Sequence, residues 1–200
     1  MTYENFTIKA QDAILRAQQI ASNLDQQVVD SVHLTKAIIE VDEKLVEFLF
    51  SKMAANLQKI KFELDTAIRT IPKVQGANKQ YLSNEANQIL ISAKNLMPEF
   101  NDEFISLELM LYAITKGSDN ASKVLKSNGI TAEGMKQAIQ ELRKGKKVTD
   151  ASSDEQYNAL NKYAVNLNAS AENGKLDPIV GREREIERLV FDEDLSRFLP

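Results

Sequence analysis

The sequence predicts an all-α fold, and three observations support this prediction. Apolar residues recur three or four positions apart in successive segments of the first 145 residues, which is the spacing of one helix face. A residue that can cap a helix precedes most of these segments: Thr7, Asp30 or Ser31, Ser83, Ser106 and Thr131. The apolar pattern also returns 76 positions later, so that Ile14 corresponds to Leu90. We therefore expect two pseudo-symmetric four-helix repeats, at about residues 6–72 and 81–145, that share one core.

Four helices are predicted in the first repeat. The first begins after Thr7 and ends near Asn23, and two short apolar segments follow it. Residues 53–56 interrupt the pattern before the fourth helix, which contains Leu64. Pro72 closes that helix because proline disfavours the helical conformation of the residue before it.

The second repeat follows the same order. Ser83 starts its first helix, which we expect to end at Pro98. The stretch from 101 to 114 forms the next helix. The remaining boundaries are Asn128 and Gly129 after a short helix, Thr131 at the start of the last helix and Gly145 at its end.

The stretch from 101 to 114 carries the central functional hypothesis. Its main apolar face enters the core, whereas Leu109 falls outside that face. Asp102 and Glu108 are acids near the start of the helix, where they would also complement the helix dipole. If Leu109 and the two acids stay at the rim, they leave an apolar, acid-edged groove open for a partner.

Composition excludes several classes of function. The formal net charge is −4 and the basic residues are dispersed, which argues against nucleic-acid binding. The basic residues from Arg143 to Lys147 are interpreted as a solvated helix end. No apolar run reaches the roughly 20 residues of a membrane span, and the first 23 residues do not resemble a signal peptide. The chain has no cysteine, which is consistent with a reducing compartment, so we expect a cytoplasmic protein.

Catalytic and metal motifs are missing as well. His33 is the only histidine, so a site with two histidines cannot form, and a structural role is expected for it. The acidic run 192–194 lacks the spacing of a calcium loop. No serine lies in a G-x-S-x-G motif. We expect no metal site and no hydrolase activity.

The residues after the second repeat differ in character. Residues 146–156 are predicted to be a mobile linker, on the polar composition of the stretch 144–154, KGKKVTDASSD. An amphipathic helical segment then begins at Tyr157, and residues 157–200 are treated as one further region.

Several motifs resemble the N-terminal region of ClpB-type protein disaggregases, which are AAA+ chaperones. They are the doubled repeat, PKVQG at residues 72–76, the pair Glu108 and Leu109, and the run from Tyr157 to Glu183. The resemblance implies a Clp N-domain at residues 1–145, a linker, and the truncated start of the first nucleotide-binding domain at 157–200.

The resemblance also implies site residues. The positions that match the family's substrate-binding groove are Thr7, Leu96, Asp102, Glu108 and Leu109. Ser92 departs from a position that is often apolar in the family, and Val32 stands at the first-repeat position equivalent to Glu108. By the same resemblance, Ile179, Val180 and Gly181 would lie against adenine, although we expect them to be non-functional here.

An ATPase activity is not expected of this chain. A phosphate-binding loop needs a glycine-rich turn followed by Gly-Lys-Ser/Thr, and neither Gly-Lys pair of this sequence, at Gly145 and Gly174, fits. No cofactor is therefore predicted for the chain, whereas the full-length family uses ATP and magnesium. We expect the isolated chain to be monomeric.

The function implied by the resemblance is non-enzymatic capture of unfolded or aggregated polypeptide, with a full-length ClpB-type hexamer as a further candidate partner. Two alternatives stay open from the sequence: an adaptor domain that docks a folded partner, and an inert truncated remnant. Neither a nucleic-acid partner nor a membrane partner is expected.

Overall fold

The coordinates are a computed structural model, and it describes residues 3–74 and 79–154. Helices dominate these residues, which confirms the predicted all-α class. They are α1 (Ile8–Asn23), α2 (Ser31–Val41), α3 (Glu43–Ser51), α4 (Leu57–Arg69), α5 (Asn84–Phe100), α6 (Leu107–Lys116), α7 (Asn120–Ser127) and α8 (Ala132–Arg143). Two short strands, β1 (Val28–Val29) and β2 (Tyr81–Leu82), accompany them.

Side-chain caps set the start of most helices. The Thr7 hydroxyl oxygen accepts the Ala10 amide at 3.3 Å, and the Ser83 hydroxyl oxygen accepts the Ala86 amide at 3.1 Å. These bonds satisfy amides that have no partner within the first turn of a helix. Ser106 has the extended backbone of a cap before α6 but makes no capping hydrogen bond.

The predicted end of α5 at Pro98 is wrong. Pro98 lies inside the helix, which continues to Phe100 and ends at Asn101 in the left-handed conformation, with φ 55°. Proline disfavours a helical residue before it but does not forbid one. Asparagine tolerates the left-handed conformation, and here the amides of Asn101 and Asp102 close the last turn on the carbonyls of Pro98 and Met97.

The two halves of the described chain follow the same plan, α1–α4 and α5–α8. Val29 of β1 pairs in parallel with Leu82 of β2, and Phe6 forms an equivalent parallel bridge with Ile105. The two pairings correspond because Ile105 stands 76 positions after Val29, and Phe6 stands 76 positions before Leu82. The strands were not predicted, because two residues are too few to show an alternating pattern.

Helix α6 lies at the centre of the core. Every residue from Leu107 to Thr115 is buried, because α6 packs against α1, α2, α5, α7 and α8. A helix that is enclosed on all sides buries residues outside its main apolar face too. This packing brings the two halves together around one element.

His33 has the structural role that was predicted. Its buried Nδ1 accepts the Asp30 amide at 3.0 Å, so Nε2 carries the proton and donates to Gln26 Oε1 at 2.7 Å. Burial lowers the pKa of His33, which favours this neutral form, while Asp30 opposes the shift. The Gln26 amide nitrogen in turn donates to the Ile68 carbonyl at 2.7 Å.

Residues 146–154, which we call the exit segment, differ from the predicted linker. Val148, Ser153 and Asp154 are buried, so this part of the predicted linker packs on the helical domain. Polar composition predicts mobility only when backbone groups and the few apolar residues find no partners, and here they find them. Residues 155 and 156, and the further region 157–200, lie outside the described residues.

Candidate functional site

Arg143, in the last turn of α8, holds two carboxylates in the interior. Its Nη1 donates to both oxygens of Asp102, at 2.9 and 2.7 Å. Its Nε and Nη2 donate to Glu108 Oε1 at 3.0 and 2.9 Å, and Nη2 also donates to the Ser106 hydroxyl at 3.0 Å. The guanidinium carbon lies 5.1 Å from the centre of the Phe100 ring. The guanidinium fork therefore fixes two acids at once.

The charges of this cluster influence one another. Burial would lower the pKa of Arg143, but the attraction of Glu108 and Asp102 outweighs it and raises that pKa. Burial raises the pKa of Asp102, an effect that the Arg143 charge and the Val148 amide partly oppose. Arg143 thus stays charged and neutralises part of the negative charge of its neighbours.

The prediction that Asp102 and Glu108 edge an open groove is not matched by this conformation. Both side chains are buried and paired with Arg143, because leaving carboxylates in the interior without a cation would be very costly. Arg143, which had been interpreted as part of a solvated helix end, is the residue that sequence reasoning missed. Its partners lie 41 and 35 positions away, so no local pattern could reveal them.

The two leucines of the predicted groove are also inside. Leu109 is 0% exposed and Leu96 is 8% exposed. Leu109 falls outside the main apolar face of α6, yet the neighbouring helices surround α6 and cover it. Neither leucine presents an apolar surface to solvent in this conformation.

Thr7 lies beside the same cluster. Besides capping α1, its hydroxyl donates to Asp154 Oδ2 of the exit segment, and Thr7 is fully buried. The structure therefore brings three of the five predicted groove residues, Thr7, Asp102 and Glu108, close together. Ile179, Val180 and Gly181 lie outside the described residues.

The exit segment pairs with this place through its backbone. The Val148 amide donates to Asp102 Oδ1 at 3.0 Å. The Val148 carbonyl accepts the amides of Glu103 and Phe104 at 2.8 and 3.3 Å, and farther along the Ala151 carbonyl accepts the Ile8 amide at 2.9 Å. We call Thr7, Asp102, Glu108, Arg143 and the amides of Ile8, Glu103 and Phe104 the Arg143 site.

Asp154 completes the arrangement with a third acid. Burial raises the pKa of Asp154 to about 8, and the nearby Glu108 charge adds to the shift. The Thr7 hydroxyl, Lys9 and Arg143 act in the opposite direction. Its Oδ1 is buried and has no hydrogen-bond partner among the described residues. The docked carboxyl group is therefore largely protonated at neutral pH.

The corresponding place in the first repeat has no such charges. Gln26, Val32 and Ala67 stand 76 positions before Asp102, Glu108 and Arg143. Gln26 binds the end of α4 instead, through the Ile68 carbonyl at 2.7 Å and the Ile71 carbonyl at 3.0 Å. The three charged side chains of the Arg143 site, Asp102, Glu108 and Arg143, therefore have no charged counterparts in the first repeat.

An open cleft of about 640 Å³ lies elsewhere, beside α5 and the turn between α6 and α7. None of the five predicted groove residues lines it. Ser92 does line it, together with charged side chains of both signs such as Lys116 and Asp119. The cleft is therefore a different surface from the predicted groove.

Neither a membrane-spanning helix nor a metal-binding cluster occurs among the described residues. Among the residues 3–74 and 79–154, no helix combines the length and the apolar character that crossing a membrane requires. The same residues contain no cluster of three or more side chains suited to hold a metal ion.

Comparison with known proteins gives a consistent result. Residues 5–128 match the model of the family described as the Clp repeat (R) N-terminal domain. The chain is 40% identical to the chaperone protein ClpB of Bacteroides thetaiotaomicron and 43% identical to that of Porphyromonas gingivalis, over 95% of its own length. It spans 22% of the length of each of these relatives.

Solved structures show the same fold. The Hsp104 N-terminal domain from Candida albicans matches with a TM-score of 0.66 and 19% identity, covering 76% of this chain and 99% of that one. The N-terminal domain of ClpD from Arabidopsis thaliana matches with a TM-score of 0.54 and 20% identity, covering 70% and 99%. At these identities the likeness concerns the fold.

Proposed function

Since the chain belongs to the family of Clp repeat N-terminal domains, we propose that it is the client-binding domain of a ClpB-type chaperone. It captures unfolded or aggregated polypeptide, and in the full-length protein it passes this polypeptide to an ATP-driven ring. The part of those relatives that this chain matches is their N-terminal domain, so we propose binding and no catalysis for it.

One observation carries the proposal: the Arg143 site holds a peptide backbone. Asp102 accepts a peptide amide, and the amides of Glu103 and Phe104 converge on the carbonyl of the same residue, Val148. A polypeptide that has lost its structure exposes unpaired amides and carbonyls of this kind. The site therefore has the donors and acceptors that an extended client needs.

Hydrogen bonding to the peptide backbone also explains how one site would bind clients of many different sequences. Every residue except proline has an amide and a carbonyl, so a site that reads both tolerates many sequences. The fully buried Val148 side chain shows that one aliphatic group is accommodated beside these bonds. We expect weak, sequence-tolerant affinity, with a preference for segments that carry a branched aliphatic residue.

A blocking experiment tests the location. Single cysteines replace Ile8 and Leu15, which are 51% and 55% exposed on α1, and each is joined to a polyethylene glycol maleimide. The chain has no cysteine of its own, so labelling is confined to these positions. The Ile8 amide belongs to the Arg143 site, whereas Leu15 lies two helical turns farther on.

Affinity is then measured with reduced, carboxymethylated α-lactalbumin, a permanently unfolded protein. We expect the Ile8 adduct to bind it at least tenfold more weakly than the Leu15 adduct, which should match the wild-type chain. Equal affinities of the two adducts would place client binding elsewhere. Binding of native α-lactalbumin as tightly as the unfolded form would favour docking of folded partners instead.

Substitutions of the predicted groove residues themselves, such as Leu109→Asp or Glu108→Ala, are unsuitable for this test. Leu109 is in the core and Glu108 is paired with Arg143, so either change damages the fold together with any binding. The adducts avoid this because Ile8 and Leu15 are exposed.

A further inference from the structure

We propose that the exit segment is an internal ligand of the Arg143 site, and that clients bind by displacing it. This inference rests on the proposed function and adds to it the competitor that regulates access to the site. It also identifies the kind of segment that the site takes: an extended peptide with an aliphatic residue between polar ones.

The exit segment uses the groups that a client would need. The Val148 amide donates to the carboxylate of Asp102, and the Val148 carbonyl accepts the amides of Glu103 and Phe104. The Ala151 carbonyl accepts the amide of Ile8. The Thr7 hydroxyl is bonded to Asp154. As long as the segment is docked, these groups have no capacity left for a second peptide in the same arrangement.

The backbone at the start of the exit segment provides a hinge. Lys144 and Gly145 both have left-handed conformations, with φ 47° and φ 83°, and they separate the end of α8 from the exit segment. Glycine enters other conformations at little cost. The segment can therefore swing away at Gly145 while Arg143 keeps its place at the end of α8.

Docking of the exit segment is imperfect at Asp154. This side chain is buried with one oxygen unpartnered among the described residues, and burial together with the Glu108 charge disfavours its ionised form. A buried polar atom without a partner makes docking less favourable than the remaining bonds alone would. An external peptide that lacks this acid can replace the segment without that disadvantage.

The first experiment locks the segment in place in the full 200-residue chain. Cysteines replace Ile8 and Ala151, whose backbones are joined by a 2.9 Å hydrogen bond, and a short flexible bismaleimide bridges them. The matched control is the same double variant treated with N-ethylmaleimide. We expect the bridged protein to bind reduced, carboxymethylated α-lactalbumin at least tenfold more weakly than the control.

The second experiment releases the segment. Val148→Asp places a charge where a buried aliphatic group was, next to Asp102, and should free the segment without changing the groups of the site. Faster hydrogen exchange of the Ile8 and Glu103 amides would report the release. We expect this variant to bind the same client several-fold more tightly than the wild-type chain.

A third measurement uses the segment as a probe. A synthetic peptide with the sequence of residues 144–154 should compete with the client for the Val148→Asp variant, whereas the same peptide with aspartate in place of valine should not. The two peptides are compared on the same protein, so a difference between them does not depend on any further variant.

The outcomes separate the two proposals. If wild type and control bind the client but bridging changes nothing and release does not increase affinity, the exit segment is not a competitor, and the proposed function stands. If none of the proteins binds the client, including Val148→Asp with its segment released, the proposed function fails and this inference fails with it.

Discussion

The substitution Arg143→Met tests the idea that one guanidinium makes the interior acids tolerable. Methionine keeps an aliphatic chain but removes all five hydrogen bonds that Arg143 donates to Asp102, Glu108 and Ser106. Both carboxylates would remain buried without a cation. Breaking a buried ion pair by removing one partner costs about 3–5 kcal/mol.

This loss is large relative to the stability of a domain, which is typically about 5–15 kcal/mol. For a domain of about 150 residues, 1 kcal/mol corresponds to roughly 2–4 °C in Tm, so we expect Tm to fall by roughly 6–20 °C. The carboxylates can escape the penalty by binding protons. The difference from wild type should therefore narrow when the pH is lowered from 7 to 4.

Thermal unfolding followed by circular dichroism at both pH values measures the effect. Arg16→Met is the matched control, because Arg16 is 44% exposed and pairs with Glu40 on the surface at 2.6 Å. An exposed pair of this kind contributes about 1 kcal/mol or less. The reasoning would be refuted if Arg143→Met were no more destabilising than Arg16→Met, or if its effect were the same at pH 4 and pH 7.

Three further predictions concern Asp154, His33 and Leu109. The docked pKa of Asp154 is raised to about 8, so its contribution to stability is full below its ordinary value of 3.8 and is lost as the pH rises through about 8. Urea titrations should thus find Asp154→Asn more stable than wild type at pH 8, by at most about 6 kcal/mol, and no more stable at pH 4. The pKa of His33 is lowered from 6.5, so the contribution of neutral His33 to stability is present above that pH and is lost on acidification. His33→Leu should therefore lower the free energy of unfolding by about 1–3 kcal/mol at pH 7.5 and by less at pH 5. An equal loss at both pH values would contradict the assigned neutral form. Leu109→Ala should lower the free energy of unfolding by about 2–5 kcal/mol, since the side chain is fully buried, and a loss below 1 kcal/mol would show that the site is exposed or collapses.

Local signals in the sequence located the helices well. Thr7, Asp30 and Ser83 start helices where their side chains predict them to, since a cap acts within three residues along the chain. The internal repeat was equally accessible, because it is a comparison of the sequence with itself. Pro98 was misjudged, since a proline near a helix end weakens the helix without fixing the residue at which it stops.

The candidate site was only partly predictable. Thr7, Asp102 and Glu108 do lie together, but their burial depends on Arg143, which comes from the end of a different helix. The docking of Val148 depends on the Asp102 carboxylate and on the amides of Glu103 and Phe104, all more than 40 positions earlier in the chain. Long-range pairings of this kind leave no periodicity or motif in the sequence. A single sequence therefore cannot reveal which acidic side chains are buried, or which residues bury them.

The enclosure of α6 has a consequence for how such a chain can arise. Helix α6 belongs to the second half, yet α1 and α2 of the first half cover part of it. A solitary four-helix unit would leave that side of its second helix bare, and a twofold pairing of two identical units would cover it in both. A tandem chain therefore buries within one molecule a surface that two separate four-helix units could bury only by associating, and its two halves can differ in sequence where those of a homodimer cannot.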